Sequence, residues 1–202
     1  MQYSVTFRNE SENFGDICIY QEDPNLDIDV MSLAWLTKPT HPRTTIQFTW
    51  STDYIFIWKK INKLYSKTII RSSEIIDTDL NTNNMVELSY ENNAYRFKNL
   101  QTNLDKADEL CIVENETIPL NDALVGIGMS GMGTFVKQAQ PNRNLLFKPK
   151  PKYWIAFGRY SQGEVLDITR ITNKALLRFK PNLYSLIVIL KEDNNWEIKP
   201  VI

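Results

Sequence analysis

Four carboxylates crowd one short segment, Glu22, Asp23, Asp27 and Asp29 in QEDPNLDIDV. Hard oxygen ligands on a loop are what calcium takes. If the segment is extended, Asp27 and Asp29 point the same way. Asp23, Asp27 and Asp29 are therefore the candidate metal ligands, with calcium the candidate ion, although the spacing is not that of an EF-hand. The plainer reading of the same residues is a solvated turn. A second feature is the basic run Arg143, Lys148, Lys150, Lys152 and Arg159. Its prolines, Pro149 and Pro151, cannot donate to a strand ladder, which suits an edge or a connection. Lys148, Lys150 and Lys152 are expected on a solvated face that a partner can meet. Trp35 joins them as a candidate ligand-binding residue, because an exposed indole stacks on sugars.

The nucleophile candidates are few. His41 is the sole histidine, so one chain cannot build a multi-histidine metal site. Cys18 in DICIY and Cys111 in ELCIV sit in apolar runs and read as buried thiols that need not pair. No spacing brings either beside His41. Ser130 lies in GMSGMG, but a nucleophile elbow demands a strand-to-helix turn and a histidine partner. The glycines of GIGMSGMG precede TFVKQAQPN, which reads as a strand and not as the helix of a phosphate cradle. They suit a close strand approach or a bulge. These residues point away from an enzyme.

The elements that must position them are strands. Tyr3, Val5 and Phe7 alternate, as do Ile17 and Ile19, then Thr44, Ile46 and Phe48, then Tyr54, Phe56 and Trp58. Period two means one buried sheet face. EDPN, THPR, YENNAY, QPNRN and KEDNNW punctuate the runs. Only NLDKADEL suggests a helical turn, capped by Asn103. The expectation is an all-β protein, a β-sandwich of many short strands. With 43% hydrophobic residues and 23% charged among 202, a packed core is in reach. A net charge of −1 argues against a nucleic-acid binder. No stretch approaches the roughly 20 apolar residues of a membrane span. The opening MQYSVTFRNESEN lacks a secretory signal pattern, so the expected compartment is the cytoplasm.

The chain also resembles itself. At an offset of 99, Leu36 matches Phe135, Lys38 matches Lys137, Phe48 matches Phe147 and Tyr54 matches Tyr153. At an offset of 101, VELSYENNAYRF from Val86 matches IVILKEDNNWEI from Ile187. Two β-units are expected, residues 1–101 and 102–202, packed as one domain around a shared core. Residues 1–101 carry 10 basic and 13 acidic side chains, residues 102–202 carry 13 and 11. That polarity favours head-to-tail contact between copies.

GDICIYQEDPNL, VMSLAW, IPLNDALVGIGMSGMGTFVKQAQPN, YWIAFG and QGEVLDI together resemble the rhizosphere-induced protein RhiA family. The likeness runs from about Tyr3 to Lys199 and is most specific over Ile118 to Asn142. Its departures are an abundance of Asn, Lys and Ile, and KPKPK where a less basic turn is expected. The resemblance implies a soluble protein tied to life beside a host or to quorum-controlled expression, and it carries no catalytic residues with it. The expected activity is non-enzymatic: self-association into a homo-oligomer, or binding to a glycan or host surface. The alternative is a lectin-like module assisted by calcium.

Overall fold

The computed structural model describes residues 2–62 and 64–201. Its strands, in chain order, are β1 (Gln2–Asn9), β2 (Gly15–Glu22), β3 (Met31–Ser32), β4 (Leu36–Thr40), β5 (Thr45–Ser51), β6 (Tyr54–Lys60), β7 (Glu74–Thr78), β8 (Met85–Glu91) and β9 (Ala94–Gln101). They continue as β10 (Leu110–Glu114), β11 (Ala123–Met129), β12 (Met132–Gln138), β13 (Arg143–Phe147), β14 (Lys152–Gly158), β15 (Lys174–Leu177), β16 (Ser185–Leu190) and β17 (Trp196–Pro200). Two single-turn 3-10 helices interrupt them, and Asn103 caps the first by accepting from the Asp105 amide. Tight hairpins explain why strands succeed each other so closely. Asn92 and Asn93 both have positive φ, as do Ser130 and Gly131, the backbone that two-residue hairpin turns require.

The strands form four sheets. Their orders are β17-β16-β1-β5, β9-β8-β10-β13, β3-β12-β11-β6-β7 and β4-β2-β14-β15. The first packs on the fourth through Val5, Phe7, Ile19, Trp50, Ile155 and Val188. The second packs on the third through Phe56, Val86, Leu88, Ile112, Val125 and Phe147. The all-β expectation holds, as two face-to-face sheet pairs. Each sheet draws strands from both sides of residue 101, so the division at 101/102 is not a boundary between separately paired units. Burying one strand of each half beside the other closes backbone ladders that neither half closes alone.

The first two sheets have the same plan. A parallel pair forms the centre, β1 with β16 in one and β10 with β8 in the other. Antiparallel strands flank it, β5 and β17 in one, β13 and β9 in the other. The order β4-β2-β14-β15 likewise matches β12-β11-β6-β7. At an offset of 99, β6 falls on β14 in register, with Phe56 and Ile155 both in sandwich cores. The 101 offset is out of phase at β8. It sets buried Val86 on half-buried Ile187, whereas the core residues of β16 are Leu186, Val188 and Leu190. The hairpins absorb the difference, with two residues between Glu91 and Ala94 but five between Leu190 and Trp196.

A thin seam joins the two sandwiches. Leu33 pairs with Val165 in an isolated bridge, and both pack with Ile55, Ile57, Leu124 and Val136 of the third sheet. The next residues, Ala34 and Leu166, pack with Cys18, Tyr20 and Ala156 of the fourth. Alternation along an extended segment thus serves two sheets at once.

Candidate functional site

The inward row of β12 ends in a charge. Phe135 and Ala139 lie in the core between the second and third sheets, and Lys137 shares their phase. Its side chain is 1% exposed. A buried ammonium needs charged partners, and the loop after β2 brings them. Lys137 Nζ lies 2.8 Å from Asp27 Oδ2 and 2.7 Å from Asp29 Oδ1. Arg143 Nη1 stands 3.8 Å from the other Asp29 oxygen and donates to Gln140 Oε1 at 3.0 Å. The Gln140 amide in turn donates to Glu114 Oε1 at 3.0 Å.

Glu114 closes the chain of contacts from the opposite sheet. It follows Leu110 and Ile112 on the inward row of β10 and is 1% exposed. Its Oε2 has no hydrogen-bond partner among the described residues. Burial pushes its carboxyl up to about 7, against the opposing pull of the Gln140 amide and the charges of Arg143 and Lys137. Asp27 moves the other way, because the Lys137 hydrogen bond and charge hold its carboxyl below the ordinary range. The result is a charged clasp over one open end of a sandwich. It binds a loop down and holds one proton-sensitive carboxyl beneath it.

The residues expected to act chemically fall into this frame unevenly. Asp27 and Asp29 do point the same way, but the cation between them is Lys137. Asp23 is committed elsewhere, accepting from the Asn25 amide at 3.0 Å and from the Lys150 amide at 3.0 Å. Among the described residues no group of three or more acidic, His or Cys side chains could hold a metal. In this structure the partner of Asp27 and Asp29 is thus an internal ammonium. The acidic loop and the KPKPK segment do meet, through Asp23 and Lys150. A cavity of about 250 Å³ opens there, lined by Glu22, Asp23, Leu26, Phe135 and Lys152 among others. Lys148, Lys150 and Lys152 are exposed, and Lys148 pairs with Glu109 at 3.3 Å. Pro149 and Pro151 lie in the connection between β13 and β14.

Trp35 is 0% exposed. Its Nε1 donates to the Met129 carbonyl at 2.9 Å, and its ring meets Trp50 edge-on at 5.5 Å. It presents no face to solvent, so the sugar platform expected there is lost. His41 packs on Phe14 with ring centroids 4.7 Å apart. Cys18 and Cys111 are free and buried, with thiols pushed up by burial. Ser130 belongs to the β11–β12 hairpin turn, and its hydroxyl accepts from the Ser51 amide at 3.2 Å. Gly126 and Gly128 mark close strand approach, with a bulge at Ile127/Gly128. A Cβ on Gly126 would stand 2.0 Å from the Phe135 carbonyl oxygen.

Neither Lys137 nor Glu114 lies in a run of like charges, so neither stands out as a site residue in the sequence. The available signal was a charge in phase with an apolar row, Lys137 between Phe135 and Ala139, and Glu114 after Leu110 and Ile112.

The segments that carry the family resemblance converge on the seam. Leu33 donates to the Thr134 carbonyl, Leu166 to that of Ser32, and Gly163 to that of Ala34. VMSLAW, GIGMSGMGTF and QGEVLDI are thereby tied into one backbone network. This all-β double sandwich belongs to the RhiA family, whose model, described as RhiA, matches residues 1–201. It is similar to the protein named "Protein RhiA" of Rhizobium leguminosarum bv. viciae. The two are 34% identical over 202 residues, spanning 98% of this chain and 87% of that protein. No solved structure matches.

Proposed function

We propose that this RhiA-family chain is a non-enzymatic interaction protein that associates with further copies of itself through the β13 edge. The observation that carries the reading is the state of that edge. β13 ends its sheet, and among the described residues the backbone of Asn144–Phe147 bonds only to β10. Outward Leu146 is 45% exposed and stands in a cross-strand row with Cys111 and Met85. An unpaired edge beside an apolar row is a template for another strand. The other outer strands of the first and second sheets each carry a lateral hydrogen bond that involves a side chain. Lys38 Nζ donates to the Gln47 carbonyl of β5, the Phe97 amide of β9 to Glu74, and Trp196 Nε1 of β17 to Asn173. Buried thiols and a histidine engaged with Phe14 support the non-enzymatic part. Light scattering across concentration tests it, with growth of mass for the parent chain and a monomer for Leu146→Asp. A parent chain that stays monomeric throughout contradicts it.

The same reading includes an origin by duplication, with the strands of the two copies interleaved. The matching sheet orders support it. Cleavage at an engineered site in the 102–109 connection should leave the two fragments associated under native conditions, and their separation would count against interleaving.

A further inference from the structure

The end of the other sandwich offers a different kind of site. Between the edges of the first and fourth sheets lies a cleft of about 300 Å³. Its apolar lining comes from Leu176 of β15, Leu183 of the connection, Leu186 of β16 and Ile198 of β17. Leu186 belongs to the core itself, and Ile198 packs against it, so the floor of the cleft is continuous with the sandwich interior. Pro200 and two cations, Arg178 and Lys180, complete the lining. Both cations are exposed or half-exposed, and neither side chain makes an ion pair or hydrogen bond with any described residue. Neighbouring cations are not in this state. Lys174 pairs with Glu22 and lies over the Trp154 ring, while Lys191 and Lys199 both pair with Glu197. No acidic residue occurs from Lys174 through Lys191, so nothing in that stretch neutralises the two charges.

We infer that this cleft binds a single-chain amphiphile with a carboxylate head, its tail on the leucine floor and its head between Arg178 and Lys180. An apolar pocket with a few convergent polar groups is the usual form of a small-molecule site. A guanidinium fork and an ammonium are suited to a carboxylate. The volume limits the tail. If a methylene takes about the 30 Å³ share of a water molecule, about ten carbons fit. The cleft lies on the sandwich that does not contain β13, so its occupancy is independent of pairing through that edge.

Titration calorimetry and thermal melting with decanoate test the assignment on the full chain, with acetate and 1-octanol as head-only and tail-only probes. Decanoate should bind saturably, one per chain, and raise the melting temperature, since a ligand that binds the folded state stabilises it. Acetate should not bind, and 1-octanol should bind more weakly. An Arg178→Gln/Lys180→Gln variant should melt like the parent without ligand and lose affinity for decanoate about tenfold or more. Leu183→Asp should lose it as well. No saturable binding below the micelle concentration overturns the assignment. So does unchanged affinity in the double variant, or binding confined to phosphatidylglycerol vesicles.

Discussion

Lys137 Nζ sits 2.7 Å from Asp29 Oδ1 with its own side chain 1% exposed and the aspartate half-exposed. The ammonium comes from the inward row of a strand and the carboxylate from a loop, so a single contact fixes the loop over the sandwich. Asp27 repeats the contact at 2.8 Å. Breaking a buried pair leaves an uncompensated charge, but here the aspartates return to water easily. Lys137→Ala should therefore cost about 2 kcal/mol in urea unfolding and quicken proteolysis within residues 23–30. An unchanged midpoint and unchanged cleavage would show that the clasp is idle.

Glu114 predicts the pH dependence. Its folded value, about 7, lies above the ordinary 4.5. Between those values the folded state holds a proton that the unfolded state has released, so stability falls as pH rises through the window. Below it both states are protonated and the effect vanishes. Glu114→Gln should raise stability at pH 8 by about 3 kcal/mol and leave it unaltered near pH 4. A gain of equal size at both pH values would contradict the role of ionisation.

Gly126 and Gly131 separate two uses of glycine. Alanine at 126 drives its methyl into the Phe135 carbonyl and should cost about 3 kcal/mol or more. Gly131 has φ +77 with open space where a Cβ would stand, so alanine there pays only backbone strain of about 1 kcal/mol. Thermal melts of the two variants should rank in that order.

The thiols give a compact check on packing. Cys18 and Cys111 are buried in separate sheets and pushed up in pKa, so little thiolate is available to an aromatic disulfide reagent. The native protein should react slowly at both, and unfolded protein should release two equivalents at once. Rapid native reaction at Cys18 would mean that the fourth sheet opens.

Much of this architecture was legible in the sequence. Alternation at Val5–Phe7 and at Ile17–Ile19 marked β1 and β2, because period two is a local property. Pairing between β1 and β16, 181 residues apart at Ser4 and Ser185, leaves no local mark. For that reason the sequence predicts two β-units around a shared core but not the interleaving of their strands within each sheet. Trp35 misled for a related reason. In VMSLAWLTK both faces look apolar, so the strand reads as central or interfacial, and the Met129 carbonyl on a distant strand fixes the indole inside. The carboxylates of 22–29 were visible, but their cation, Lys137, comes from 108 positions beyond Asp29.

Hydrogen exchange of the Arg143–Phe147 amides, followed from dilute to concentrated protein, tests the central claim most directly. Association through β13 predicts that protection there rises with concentration while β5 is unaffected, and that Leu146→Asp abolishes the rise. Exchange at β13 that is the same at every concentration contradicts it.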